Sequence, residues 1–127
     1  MGFMHKILLI EDNKDISQML CDFLARENFE ITLKDNGEKA IKALQEDANF
    51  DLILTDLLMP QSDGFDVLFY LKEHDINIPT IVISGGGVTV SSGDTLKSVD
   101  SLATMTIPKP LDLDLLLNSI TQLLGDQ

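Results

Sequence analysis

Three carboxylates and one lysine stand directly after short apolar runs in this chain. Glu11 and Asp12 follow Lys6–Ile10, Asp56 follows Leu52–Thr55, and Lys109 follows a weaker run that holds Met105 and Ile107. If those runs are parallel strands of one sheet, all four side chains arrive at its carboxyl edge, where open α/β sheets bind ligands. Carboxylates ~4 Å apart repel one another by ~4 kcal/mol per pair at a near-surface effective dielectric. A cluster of Glu11, Asp12 and Asp56 therefore needs a cation, and all-oxygen donors favour Mg²⁺, Mn²⁺ or Ca²⁺. The residue types point to an ion site with one ammonium group beside it.

The elements that must position these groups alternate apolar runs of about five residues with helical stretches of about 10–14, the pattern of βα repeats around a parallel sheet. Lys6–Ile10 is the first strand, and the helix after it places Ile16, Met19, Leu20, Phe23 and Leu24 on one face at i, i+3, i+4 spacing. Phe29–Leu33 makes a weaker second strand, and Asn36-Gly37-Glu38 opens a helix with Ala40, Ile41 and Leu44 inward. Asp51–Thr55 is the third strand, apolar enough to be covered on both faces. Past Pro60–Gly64 a helix turns Val67, Leu68 and Leu71 inward, and Pro79 introduces the strand Thr80–Ile83. Residues 91–103 read as a weak helix and 104–107 as a short last strand. Asp112 or a neighbour then caps a helix with Leu113, Leu116, Leu117, Ile120 and Leu124. The expected organisation is five βα units in a single domain over 1–127, with a core from about Lys6 to Leu124 and no output domain.

A length of 127 residues suits one domain with a real core. Nine basic against 21 acidic residues give a net charge of −12, so direct binding to nucleic acid or to anionic membrane surfaces is not expected. No apolar run approaches the ~20 residues that span a bilayer, and Met1–Lys6 leads into a strand without the apolar region of a signal peptide. The single cysteine, Cys21, excludes an internal disulfide. Together these features fit a reducing cytoplasm. Cys21 lies on a helical stretch with no activating partner near it, and it reads as a small apolar filler rather than a nucleophile.

Taken in order, Glu11-Asp12, Asp56 followed by Met59-Pro60 and Asp63-Gly64, Ser84 after the fourth strand, and Lys109-Pro110 after the fifth resemble the receiver domain of two-component response regulators. The resemblance runs from about Lys6 to Leu124. It implies a doubly wound (βα)5 sheet of flavodoxin-like strand order 2-1-3-4-5. It places Asp56 as the phospho-acceptor, a carboxylate nucleophile whose charge is balanced by a metal. Mg²⁺, with Mn²⁺ as a substitute, would be held by Asp12 and Asp56 directly, by Glu11 through water, and by the backbone carbonyl of Leu58. Lys109 would reach the phosphoryl oxygens from a lysine–proline bond that is cis in relatives, and the hydroxyl of Ser84 would donate to the same group. Pro60, Asp63 and Gly64 would shape the turn and the helix start. The implied donor is a phosphohistidine on a sensor histidine kinase or histidine phosphotransfer protein, and the implied listener is a downstream effector protein. Such a domain is a signalling device that catalyses only its own phosphorylation and dephosphorylation.

The chain departs from that pattern in places. Ser84 and Thr106 stand at the switch positions, yet the family usually carries Tyr or Phe where this chain has Thr106. Gly85 replaces a common alanine, and Ser84 and Lys109 are 25 residues apart, a little longer than expected. The ordering cost of Gly85-Gly86-Gly87 predicts a mobile 85–95 before phosphorylation. Leu58, two residues after the acceptor, offers no polar group to position a hydrolytic water, which predicts a long-lived phosphoryl state. Phe69, Tyr70, Leu115 and Leu123 read as scattered surface hydrophobes or as a docking face, and the resemblance makes the Leu115 side of the last helix the place for a homodimer. A haloacid-dehalogenase-type phosphatase would need a second acid at Leu58. A flavin carrier would need a phosphate-binding loop where Glu11-Asp12-Asn13 stands. The alternative that survives is a receiver-like protein-docking module not regulated by phosphorylation.

Overall fold

The computed structural model describes residues 4–56, 64–84, 104–108 and 111–125, the side chains of 64, 65 and 84 apart. The described elements are β1 (Lys6–Ile10), α1 (Lys14–Arg26), β2 (Glu30–Lys34), α2 (Gly37–Glu46), β3 (Leu52–Asp56), α3 (Gly64–Glu73), β4 (Thr80–Ser84), β5 (Met105–Pro108) and α4 (Leu113–Leu124). All strand pairs are parallel, in the order β2-β1-β3-β4-β5. This is the doubly wound, flavodoxin-like arrangement expected above.

Alternation of side chains along each strand builds two cores, one on each face of the sheet. Ile7, Leu9, Leu52, Leu54, Ile81, Ile83 and Ile107 face one way and meet Leu20 and Leu24 of α1 and Leu116 and Ile120 of α4. Leu8, Ile10 and Ile53 face the other way and meet Ala40 and Leu44 of α2 and Val67 and Leu71 of α3. A strand dry on both faces has no place for alternating polar residues, which is why β3 is buried throughout. The edge strand β2 is weaker for the converse reason, and Leu33 on it is 41% exposed.

Side-chain caps set where the helices start. Asn13 accepts from the backbone N–H of Ile16 at 3.0 Å and Asn36 from that of Lys39 at 2.8 Å. Asp112 accepts from Asp114 and Leu115 at 2.9 and 3.2 Å. At the amino end of the sheet, Thr80 N–H donates to the hydroxyl of Thr104 at 2.9 Å, and Thr104 N–H donates to the carbonyl of Thr80 at 2.9 Å.

Several details differ from the sequence reading. Met19 is 40% exposed: each helical step turns about 100°, so Met19 lies at the margin of the stripe centred on Leu20 and Leu24. Leu123 packs against the first core, leaving Leu115, 45% exposed, as the outward apolar group on α4. Tyr70 packs on the second core with its ring 4.1 Å from that of His74, while Phe69 stays exposed. The expected helix at 91–103 and the glycine segment 85–95 lie outside the described residues. Among the described residues no helix is long and apolar enough to cross a membrane.

Leu54 is completely buried in the first core. Leu54→Ala should lower the unfolding free energy by about 2–5 kcal/mol, read as a fall in the urea midpoint; a loss well under 1 kcal/mol would contradict this packing.

Candidate functional site

Parallel register brings the acids together. Ile10 pairs with Thr55, so Glu11, one residue on, comes alongside Asp56. Glu11 stays anchored past the end of β1 because its N–H donates to the carbonyl of Lys34 at 3.0 Å. Two residues later Asn13 caps α1, so Glu11 and Asp12 form a very short connection between a paired strand and a fixed helix start. One Glu11 carboxylate oxygen also accepts from the N–H of Asn13 at 3.1 Å.

Carboxylate oxygens of Glu11, Asp12 and Asp56 all lie within 4.8 Å of one another. Glu11 is 3% exposed and Asp56 8%, whereas Asp12 is open to solvent. Two partly dehydrated acids and one wet one at this spacing repel unless a cation sits among them. The donor set is oxygen only, which suits a hard divalent ion. Ligand oxygens around Mg²⁺ lie about 3–4 Å apart, given metal–oxygen distances of about 2.1 Å, so oxygens within 4.8 Å of one another flank a space that one such ion and its waters can fill. The residues fit the group.

The rest of the expected site is described only in part. Asp56 pairs with Ile83 and Ser84 with Pro108, so the backbone of Ser84 reaches the same carboxyl edge. The side chain of Ser84, the carbonyl of Leu58 and all of Lys109 lie outside the described residues. Thr106 is half-buried on β5 and pairs with Val82. Sequence reasoning missed Asn13, which both caps α1 and donates to Glu11; its signal was an Asn standing immediately before a helical run. Cys21 is half-buried against the first core. Burial pushes its thiol pKa up, and the charge of Asp22 adds to the rise.

Comparison with known proteins gives a consistent set of matches. A family model described as the response regulator receiver domain matches residues 7–121. The response regulator receiver protein CpdR of Brucella abortus is 32% identical over 121 residues, covering 95% of this chain and 98% of CpdR. The transcriptional regulatory protein CpxR of Escherichia coli is 31% identical over 109 residues, but these cover only 44% of CpxR. The chain thus spans nearly all of one curated relative and under half of another. Among solved structures, the receiver domain of the Francisella response regulator 1452 has a TM-score of 0.81 at 27% identity, covering 94% of this chain and 96% of that one. The receiver domain of a signal transduction histidine kinase from Syntrophus aciditrophicus has a TM-score of 0.82 at 28% identity, covering 94% and 89%.

Three outcomes are expected, two from the acids and one from Cys21. In EDTA, Asp12→Asn should melt a few degrees above the unaltered protein because like-charge repulsion is relieved, and salt should shrink the gain. The same variant should bind Mg²⁺ on the order of tenfold more weakly by calorimetry; equal affinities would remove Asp12 from the ion site. A raised thiol pKa leaves less thiolate at a given pH, so Cys21 should alkylate with iodoacetamide more slowly at pH ~8 in the folded protein than in urea.

Proposed function

The chain belongs to the response regulator receiver domain family, and on that premise we propose that Asp56 accepts a phosphoryl group from a phosphohistidine. The donor is a sensor histidine kinase or a histidine phosphotransfer protein. The observation that carries this reading is the convergence of Glu11, Asp12 and Asp56 at the carboxyl edge of the sheet. One acid alone would be an ordinary strand end.

An oxygen of the Asp56 carboxylate attacks phosphorus. The new P–O bond forms as the P–N bond breaks, and the leaving imidazole nitrogen takes up a proton. Asp56 is held at the end of a buried strand, so its approach to phosphorus is largely pre-set. Asp12, Asp56 and the Leu58 carbonyl would hold Mg²⁺ or Mn²⁺ directly, with Glu11 acting through water. The cation, when bound, offsets charge on the phosphoryl oxygens. Glu11 is suited to its outer role because the Asn13 N–H fixes one of its oxygens. Lys109 supplies a second positive charge and Ser84 a hydroxyl donor.

The aspartyl phosphate then shifts a two-state equilibrium that a downstream effector protein reads. Ser84 and Thr106 are the switch positions. Thr106 is too short to fill an aromatic pocket, so the change passes through the backbone after Ser84. The protein acts in the cytoplasm as a signalling domain in a phosphorelay, without direct contact with nucleic acid or membrane. Exposed Leu115 supports the α4 side as the surface for a homodimer.

Incubation with acetyl phosphate and Mg²⁺ should add one phosphoryl group to the intact mass, and EDTA or Asp56→Asn should abolish the gain. No adduct, with Mg²⁺ binding also absent, would favour a docking module that phosphate does not regulate. Once formed, the phosphoryl group should outlast a timescale of seconds, because Leu58 cannot position water; hydrolysis within seconds would overturn that role for Leu58.

A further inference from the structure

β3 reads Leu-Ile-Leu-Thr-Asp and is buried throughout, so Thr55 is the one hydroxyl in its apolar run. Its exposure is 0%, on the face that holds Ile10 and Ile53. Valine has nearly the same shape, suits a strand as well, and has no hydroxyl to strip of water. Packing therefore gives no reason for threonine here, and the explanation must lie with what its hydroxyl touches. That hydroxyl donates to the main-chain carbonyl of Asp56 at 2.8 Å.

The carbonyl belongs to the peptide that leaves Asp56, so holding it fixes the last backbone rotation of the residue bearing the acceptor carboxylate. From this we infer that Thr55 is a positioning residue for phosphoryl transfer. Buried behind the site and out of reach of substrate, it locks the terminal peptide of β3. A fixed ψ narrows the side-chain rotamers open to Asp56, and so the ways its carboxylate can meet Glu11 and Asp12. The inference rests on the reading of Asp56 as phospho-acceptor.

The test compares the unaltered protein with Thr55→Val and Thr55→Ser. Three quantities are read: thermal midpoint in EDTA, Mg²⁺ affinity by calorimetry, and the rate of phosphorylation by acetyl phosphate. Thr55→Val should fold but melt somewhat below the unaltered protein, because the Asp56 carbonyl loses a buried donor. Its phosphorylation rate, its Mg²⁺ affinity or both should fall about threefold to tenfold, the range one neutral hydrogen bond supplies. Thr55→Ser should restore the rate. In metal-free protein the carbonyl carbon resonance of Asp56 should move in Thr55→Val and return in Thr55→Ser. Unchanged rate and affinity in Thr55→Val would overturn the positioning role while leaving Asp56 as the acceptor. A rate loss that tracks only a fallen midpoint, unrescued by serine, would also overturn it. Failure of the unaltered protein to take up phosphate would instead overturn the reading of the site, and this inference with it.

Discussion

Like charge held at close range is the constraint that organises this molecule. Glu11, Asp12 and Asp56 place oxygens within 4.8 Å of one another, and mutual repulsion at that spacing opposes folding. It persists because the backbone leaves the acids no exit. β1 and β3 are paired in register up to Ile10 and Thr55, and the connection to α1 is too short to swing Glu11 and Asp12 away. The favourable burial of the sheet thus offsets the cost of this arrangement.

That offset comes from a sheet covered on both faces. Each central strand contributes alternate side chains to two separate cores, so a slip by one residue would exchange the two sets and leave both badly packed. The penalty against slippage holds the strand ends level, and level strand ends are what gather residues distant in sequence. The precision of the polar edge is thereby inherited from the apolar interior.

Much of this was legible before any coordinates. Continuous apolar runs ending in Glu11, Asp56 and the Ser84 region mark strands and their carboxyl ends at once, because a doubly covered strand admits no other composition. Boundaries were less legible. Asp56 and Pro108 extend β3 and β5 through backbone pairing with Ile83 and Ser84, and main-chain pairing leaves no trace in side-chain type. The burial of Glu11 was hidden for a related reason, since it depends on a bond to the carbonyl of Lys34. Met19 misled because a helical stripe has margins that spacing alone does not grade. Thr55 was visible as a hydroxyl inside an apolar run, but its partner was not.

The reciprocal bonds between Thr80 and Thr104 stand at the end of the sheet away from the acids. They act as a staple across the first rungs of β4 and β5, so neither strand can creep lengthwise past the other without breaking both. A displacement at the opposite end would therefore cost less as a pivot about this base than as a slide, like a page turning on its binding. A leucine-to-alanine vacancy or a lost helix cap would soften the molecule everywhere, whereas loss of this staple would change which motion is cheapest.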